Sequence, residues 1–137
     1  MSKWRQIAAV LLIFVALVTA VGCGKTETVT DKKAMVNITP ADLKKLFDSG
    51  KAPMIVDVRT PEEYAAGHIP GAKLIPLQTI EEGIKAIDKK QEMVLVCRSG
   101  NRSAQAYEIL AGMGYSSLKN MTGGMTEWEK IGGSVSR

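Results

Sequence analysis

Histidine is nearly missing from this chain of 137 residues: His68 stands alone, and the only cysteines are Cys23 and Cys97. One imidazole and one or two thiols do not make the three or four ligands that zinc takes, so no metal site is expected. Gly123-Gly124 lacks the rest of a dinucleotide fingerprint and any P-loop lysine, so no cofactor is expected either. Aromatic residues number only seven, and lysines come in pairs such as Lys32-Lys33, Lys44-Lys45 and Lys89-Lys90, interspersed with acids. A nucleic-acid footprint needs a clustered basic face with aromatics, so nucleic acid is set aside as a partner. Internal repeats and low-complexity tracts are absent as well. Long apolar runs are reduced to one, at residues 7–21.

That run follows Lys3 and Arg5, is interrupted only by Thr19, and ends in Gly22, Cys23 and Gly24. A basic start, an apolar middle and a small-residue exit describe a secretory signal peptide. As a helix the run reaches about 22 Å, short of the ~30 Å hydrocarbon core, which argues against stable spanning. Ala20-Val21-Gly22-Cys23 resembles a bacterial lipobox, in which the cysteine carries diacylglycerol and becomes the first mature residue. An uncleaved anchor and ordinary cleavage are the alternatives, and all three export the chain. The expected organisation is a signal peptide at 1–22, a polar tether at 23–34 and one domain at 35–137. The expected location is extracytoplasmic, with the membrane as a partner through a lipid on Cys23. Removing residues 1–22 takes away Lys3 and Arg5 and no acid, lowering the formal charge from +4 to +2, so the basic balance says little about partners. Nothing in the pattern sets an oligomeric state.

Within the domain, strand and helix signals alternate. Val36 and Ile38 suggest a short strand; Thr39 and Pro40 then cap a helix carrying Leu43, Leu46 and Phe47, stopped near Gly50. Residues 53–58 are apolar and β-branched, as in a buried parallel strand. Thr60-Pro61-Glu62-Glu63 supplies a capping box for a helix ending at Gly67. Residues 72–76 form a brief extended piece, and Ile80, Ile84 and Ile87 predict a helix over 79–87. A second buried strand is expected at 93–97, a helix over 102–113 stopped by Gly114, a last strand at 117–120 and a last helix at 125–131. Such alternation implies an α/β fold with a mostly parallel sheet, whose ligands bind outside the carboxyl ends of the strands.

Cys97 lies at one of those ends, in the run Cys97-Arg98-Ser99-Gly100-Asn101-Arg102-Ser103. The strand end is expected to leave the thiol exposed at the sheet rim. The turn after it aims backbone N–H groups and the positive end of a helix at the sulfur. Free cysteine titrates near ~8.5, and in such surroundings the value falls to roughly 3.5–7.5, favouring thiolate. Gly100 lets the chain turn with positive φ. Ser99 and Ser103 offer hydroxyls to an anion or to the helix start, and Arg98 either attracts an anionic donor or is a plain solvated side chain. Arg102 either closes the loop through backbone contacts or meets the anion directly. Asp57 and Arg59, at the end of the other buried strand, are expected either to pair and brace the loop or simply to fix the fold. His68 is expected to serve structure rather than proton transfer, and Trp128 to sit in the core.

The C-x4-R spacing of Cys97 and Arg102 resembles the active-site loop of rhodaneses. Asp57-Val58-Arg59-Thr60-Pro61-Glu62-Glu63-Tyr64-Ala65-Ala66-Gly67-His68-Ile69-Pro70-Gly71-Ala72 is similar to that family's amino-terminal signature. Gly123-Gly124-Met125-Thr126-Glu127-Trp128 is similar to its carboxy-terminal one. Ser134 departs from the proline of many relatives, which touches the tail more than the chemistry. The resemblance implies a rhodanese-like five-stranded sheet flanked by helices on both faces. It also implies a sulfurtransferase that carries sulfane sulfur as a persulfide on Cys97. The donor would be thiosulfate, a polysulfide or a persulfide, and the acceptor a thiol, sulfite or cyanide. The loop residues Arg98 to Ser103 would hold the small sulfur anion. Two rivals stand beside this reading: a cysteine phosphatase or arsenate reductase, whose loops run to C-x5-R, and a non-catalytic module that uses the fold to bind a partner.

Overall fold

The computed structural model of the protein describes Gly22 and residues 33–137; the expected signal peptide apart from Gly22, the lipidation candidate Cys23 and the tether up to residue 32 lie outside the described residues. Along the described chain the elements are β1 (Asn37–Ile38), α1 (Pro40–Asp48), β2 (Met54–Asp57), α2 (Pro61–Ala66), β3 (Lys73–Leu74), a 3-10 turn (Leu77–Thr79) and α3 (Ile80–Gly83). Then follow β4 (Met93–Val96), α4 (Asn101–Gly112), β5 (Leu118–Met121) and α5 (Gly124–Lys130). The five strands form one sheet in the order β1-β5-β4-β2-β3, with every neighbouring pair parallel. The expected α/β fold with its five-stranded parallel sheet is therefore present.

The helices start where their capping residues place them. The Thr39 hydroxyl accepts the Asp42 N–H at 3.1 Å, with Pro40 at the first helical position. At α2 the Thr60 hydroxyl accepts the Glu63 N–H at 3.3 Å, while Glu63 Oε2 accepts the Thr60 N–H at 3.2 Å. This reciprocal arrangement satisfies two donors that a helix start otherwise leaves orphaned.

Side chains alternate across the sheet and feed two cores. Val56, Met93, Leu95 and Cys97 pack with Ile80 and Ile84 of the α3 region and with Ala106 and Leu110 of α4. Ile55, Val94 and Val96 pack with Leu43 of α1 and with Met125 and Trp128 of α5. All of β4 is buried, as a central parallel strand covered on both faces must be. Each large apolar side chain so buried contributes about 1.5–3 kcal/mol, which holds β4 at the centre of the sheet.

One element is shorter than its periodicity predicts. Ile80, Ile84 and Ile87 are all buried, as their spacing requires, yet α3 ends at Gly83 and residues 84–87 continue as turns. Gly83 lies against Ile75, where a side chain would collide with Ile75 Cγ2. The segment thus buries its apolar stripe without completing a regular helix.

Candidate active site

Cys97 follows β4 directly and is in phase with Met93 and Leu95, so its side chain turns toward the α4 face. The chain then reverses at Gly100, whose φ of 98° lies in the left-handed region that favours glycine. This turn brings the Gly100 N–H to Cys97 Sγ at 3.0 Å. From the first turn of α4 the Ser103 hydroxyl reaches the same sulfur at 3.4 Å. Burial acts to raise the thiol pKa and is the largest single influence. The Ser103 hydroxyl and the backbone N–H groups of Ser103, Ser99 and Gly100 together outweigh it, so the value falls below the ordinary 9.0.

The expected exposure of Cys97 is not found: its relative accessibility is 0%. Its position in the sheet pleat and the docking of its own loop account for the difference. Cys97 O accepts the Met125 N–H at 2.8 Å, and Arg98 O accepts the Thr126 N–H at 3.1 Å and the Thr126 hydroxyl at 3.0 Å. The start of α5 is therefore clamped over the loop. Gly123 and Gly124 take φ of 73° and 58°, and a side chain at Gly124 would overlap Cys97 O and the Arg98 carbonyl. The glycine pair is a docking surface for the loop backbone, which explains its place in the carboxy-terminal motif.

Two ion pairs flank the loop. Asp57 Oδ2 accepts Arg59 Nη2 at 2.6 Å, Oδ1 accepts Arg59 Nε at 2.9 Å, and Nη2 also donates to Gly67 O at 2.7 Å. Both residues are buried, and the Val58 N–H donates to Val96 O, tying this end of β2 to the residue before Cys97. The second pair holds Arg102. In place of the expected contacts with loop carbonyls, its guanidinium grips Glu63 of α2 through two bonds of 2.7 and 2.8 Å. The hydrogen bond from Arg102 is the main reason the Glu63 carboxyl falls to about 2 from its ordinary 4.5. Arg102 is raised in turn, first by that bond and, more weakly, by the negative field of Cys97 and Asp57.

Arg98, Ser99 and Asn101 are exposed. Arg98 lines a hollow of about 150 Å³ together with Arg59, Glu63, Ala66, Gly67 and Glu129. His68 Nδ1 lies 2.9 Å from Tyr64 O, its ring stacks on Tyr64 at 3.7 Å, and its backbone bridges to Ser136. Ser134 holds the tail through its carbonyl, which accepts Trp128 Nε1–H at 2.9 Å. Among the described residues no group of three or more His, Cys, Asp or Glu gathers in metal-binding geometry.

Two site residues escaped the sequence reading. Glu63 was legible as a cap, but its pairing with Arg102 spans 39 positions and leaves no local signal. Asn120, 5% exposed on β5, accepts the Ser103 hydroxyl at 2.6 Å through Oδ1. A polar residue in the middle of a buried strand was the available clue.

The comparisons with known proteins agree with this geometry. Residues 39–131 match the family described as the Rhodanese-like domain. The chain is 38% identical over 95 residues to the probable adenylyltransferase/sulfurtransferase MoeZ of Mycobacterium tuberculosis, covering 68% of this chain and only 24% of that protein. It is 40% identical over 79 residues to a sulfurtransferase of Allochromatium vinosum, covering 58% of this chain and 74% of that one. Among solved structures, the rhodanese-like domain protein of Staphylococcus aureus superposes with a TM-score of 0.67 at 40% identity, over 75% of this chain and 100% of the other.

Proposed function

From the premise that this chain belongs to the rhodanese-like domain family, we propose that it is a sulfurtransferase that carries sulfane sulfur as a persulfide on Cys97. The observation that carries this reading is the Gly100 N–H and the Ser103 hydroxyl converging on Sγ at 3.0 and 3.4 Å. Donors fixed in a buried site stabilise an anion without having to reorganise. In the first half-reaction the Cys97 thiolate attacks the outer sulfur of thiosulfate. The new S–S bond forms as the old one breaks, and sulfite departs with the bonding electron pair. The product, Cys97–S–S⁻, keeps its charge on the terminal sulfur, within reach of the loop amides. A thiol, sulfite or cyanide then attacks that terminal sulfur, and Cys97 leaves as the thiolate, closing a ping-pong cycle. Polysulfides and persulfides are donors by the same attack.

Each loop residue has a part in this reading. Ser99, Gly100 and Ser103 supply backbone donors, Asn101 opens α4, and Arg102 locks the loop to α2 through Glu63. Exposed Arg98 draws in the anionic donor. Asp57 and Arg59 brace the neighbouring strand end. Because Cys97 has no exposed surface, the donor reaches Sγ through local opening of the turn at 98–100.

A phosphatase needs a wider cradle for a tetrahedral oxyanion; here only four residues separate Cys97 from Arg102, and the Gly100 N–H already rests on the sulfur. The covered thiol favours a second reading, a module that binds a partner without transferring sulfur. Mass spectrometry after exposure to thiosulfate separates the two: the carrier gains about 32 Da, one sulfur atom, which cyanide removes as thiocyanate. Cys97→Ser is expected to abolish both the adduct and thiocyanate formation with an unchanged circular dichroism spectrum. Transfer surviving in that variant would overturn the assignment, and a wild-type protein that takes up no sulfur would favour the module. The proposal extends to location: export and tethering of the mature chain through a lipid on Cys23, supported by Lys3, Arg5, the apolar run and Ala20-Val21-Gly22-Cys23. Intact mass showing residues 1–22 retained, or no lipid on Cys23, refutes the tether.

A further inference from the structure

Ser103 stands between two acceptors and has one proton to give. Its Oγ lies 2.6 Å from Asn120 Oδ1 and 3.4 Å from Cys97 Sγ. A hydroxyl donates a single hydrogen bond, so it serves the amide or the sulfur, never both. Ser103 is 0% and Asn120 5% exposed, which leaves little solvent to make up the loss for whichever acceptor goes without.

We propose that Asn120 is a positioning residue that competes with Cys97 for the Ser103 proton, and so sets how fully the thiolate is solvated. In the thiol state the S–H donates to Ser103 Oγ and Ser103 donates to Asn120, so every group is satisfied. When Cys97 gives up its proton to solvent, its sulfur becomes an acceptor only. Ser103 then either stays with Asn120, leaving the anion to the loop amides, or rotates to the sulfur and strands a buried amide oxygen. After sulfur loading, the charge sits on the terminal atom, Sγ is neutral, and Ser103 returns to Asn120. The competition thus bears on the bare thiolate alone, keeping it less stabilised and more nucleophilic than the surrounding donors would otherwise leave it. It favours the loaded state over the empty one.

Asn120 is itself held in place. Its Nδ2 donates to Asn37 Oδ1 at 3.3 Å, and its backbone N–H donates to Val36 O. The ionisable groups on the elements packed against β4 have other engagements. On α4, Arg102 pairs with Glu63, Tyr107 Oη accepts the Val36 N–H, and Glu108 is exposed. Asp57 of β2 pairs with Arg59, Lys119 of β5 pairs with Glu92, and on α5 Glu127 pairs with Lys130 while Glu129 is exposed.

The inference rests on Cys97 being the nucleophile, but its test needs no sulfur donor. The ultraviolet absorbance of the thiolate is followed against pH in the full chain, with the Cys97→Ser protein as the blank. Asn120→Leu and Asn120→Val free the Ser103 proton for the sulfur and should each lower the Cys97 pKa by about half to one pH unit, the worth of one hydrogen bond. Ser103→Ala should raise it, and adding Asn120→Leu to Ser103→Ala should then move it no further. An unchanged or raised pKa in either Asn120 variant overturns the proposal, as does a shift that persists without the Ser103 hydroxyl. Loss of sulfur transfer in wild-type protein would count against the proposed function and leave this titration unaffected.

Discussion

Replacing Glu63 by glutamine isolates one interaction. Glutamine can still accept the Thr60 N–H, and the Thr60 hydroxyl still accepts the backbone N–H of residue 63, so the α2 cap survives. What disappears is the charge facing Arg102. The fall of the carboxyl from 4.5 to about 2, at about 1.4 kcal/mol per pH unit, sets a ceiling of about 3.5 kcal/mol. The side chains of Arg102 and Glu63 remain 30% and 26% exposed, and solvent screening brings the expected loss to about 1–2 kcal/mol. The pH dependence has a definite sign. Folding makes Glu63 more acidic, so between the two pKa values the unfolded chain binds more protons, and acid erodes the advantage of the ion pair. Urea unfolding of wild type and Glu63→Gln from about pH 7 down to about pH 3 should therefore give a constant gap above the ordinary 4.5, narrowing as pH falls from there toward about 2. A gap that stays constant throughout, or that closes near neutral pH, would refute the claim that Arg102 is held by an ionised Glu63.

Gly124→Ala combines a left-handed backbone with a methyl group driven into Cys97 O and the Arg98 carbonyl. The backbone alone costs about 1–2 kcal/mol, and displacement of the loop should raise the thiol pKa back toward 9.0; urea unfolding and thiolate absorbance would register both, and a variant matching wild type in each would contradict the clamp. Asp57→Asn leaves the Arg59 guanidinium, 4% exposed, without its counter-charge. The expected loss is about 3–5 kcal/mol by denaturant titration, and a loss below about 1 kcal/mol would mean that the pair does not brace the strand end.

The elements most legible in the sequence were those whose cause is local. Thr39-Pro40 and Thr60-Pro61-Glu62-Glu63 state their own helix starts, and the short uninterrupted apolar run at 93–96 has the length and pattern of a strand buried on both faces. The loop was legible for the same reason, since a thiol, a glycine and a helix start follow one another within a few residues. What stayed hidden depends on partners distant in the chain. The strand order, the Glu63 clamp on Arg102 and the Ser103–Asn120 contact link residues that no short pattern connects. The covered state of Cys97 was hidden too, because it arises from its place in the pleat against α4 and from the docking of its own loop, which α5 holds by the carbonyls of Cys97 and Arg98. The periodicity of 79–87 identified which side chains are buried but not the backbone path, since three buried isoleucines are compatible with turns as well as with a helix.

The bonds from Met125 and Thr126 to the carbonyls of Cys97 and Arg98 carry a consequence for the order of events in biosynthesis. A nascent chain that has emerged only as far as β5 already possesses Cys97, but nothing yet grips the loop whose donors lower its thiol pKa. The donors around the sulfur are thus held by an element that follows them in the chain, and until α5 docks the thiol lacks that support.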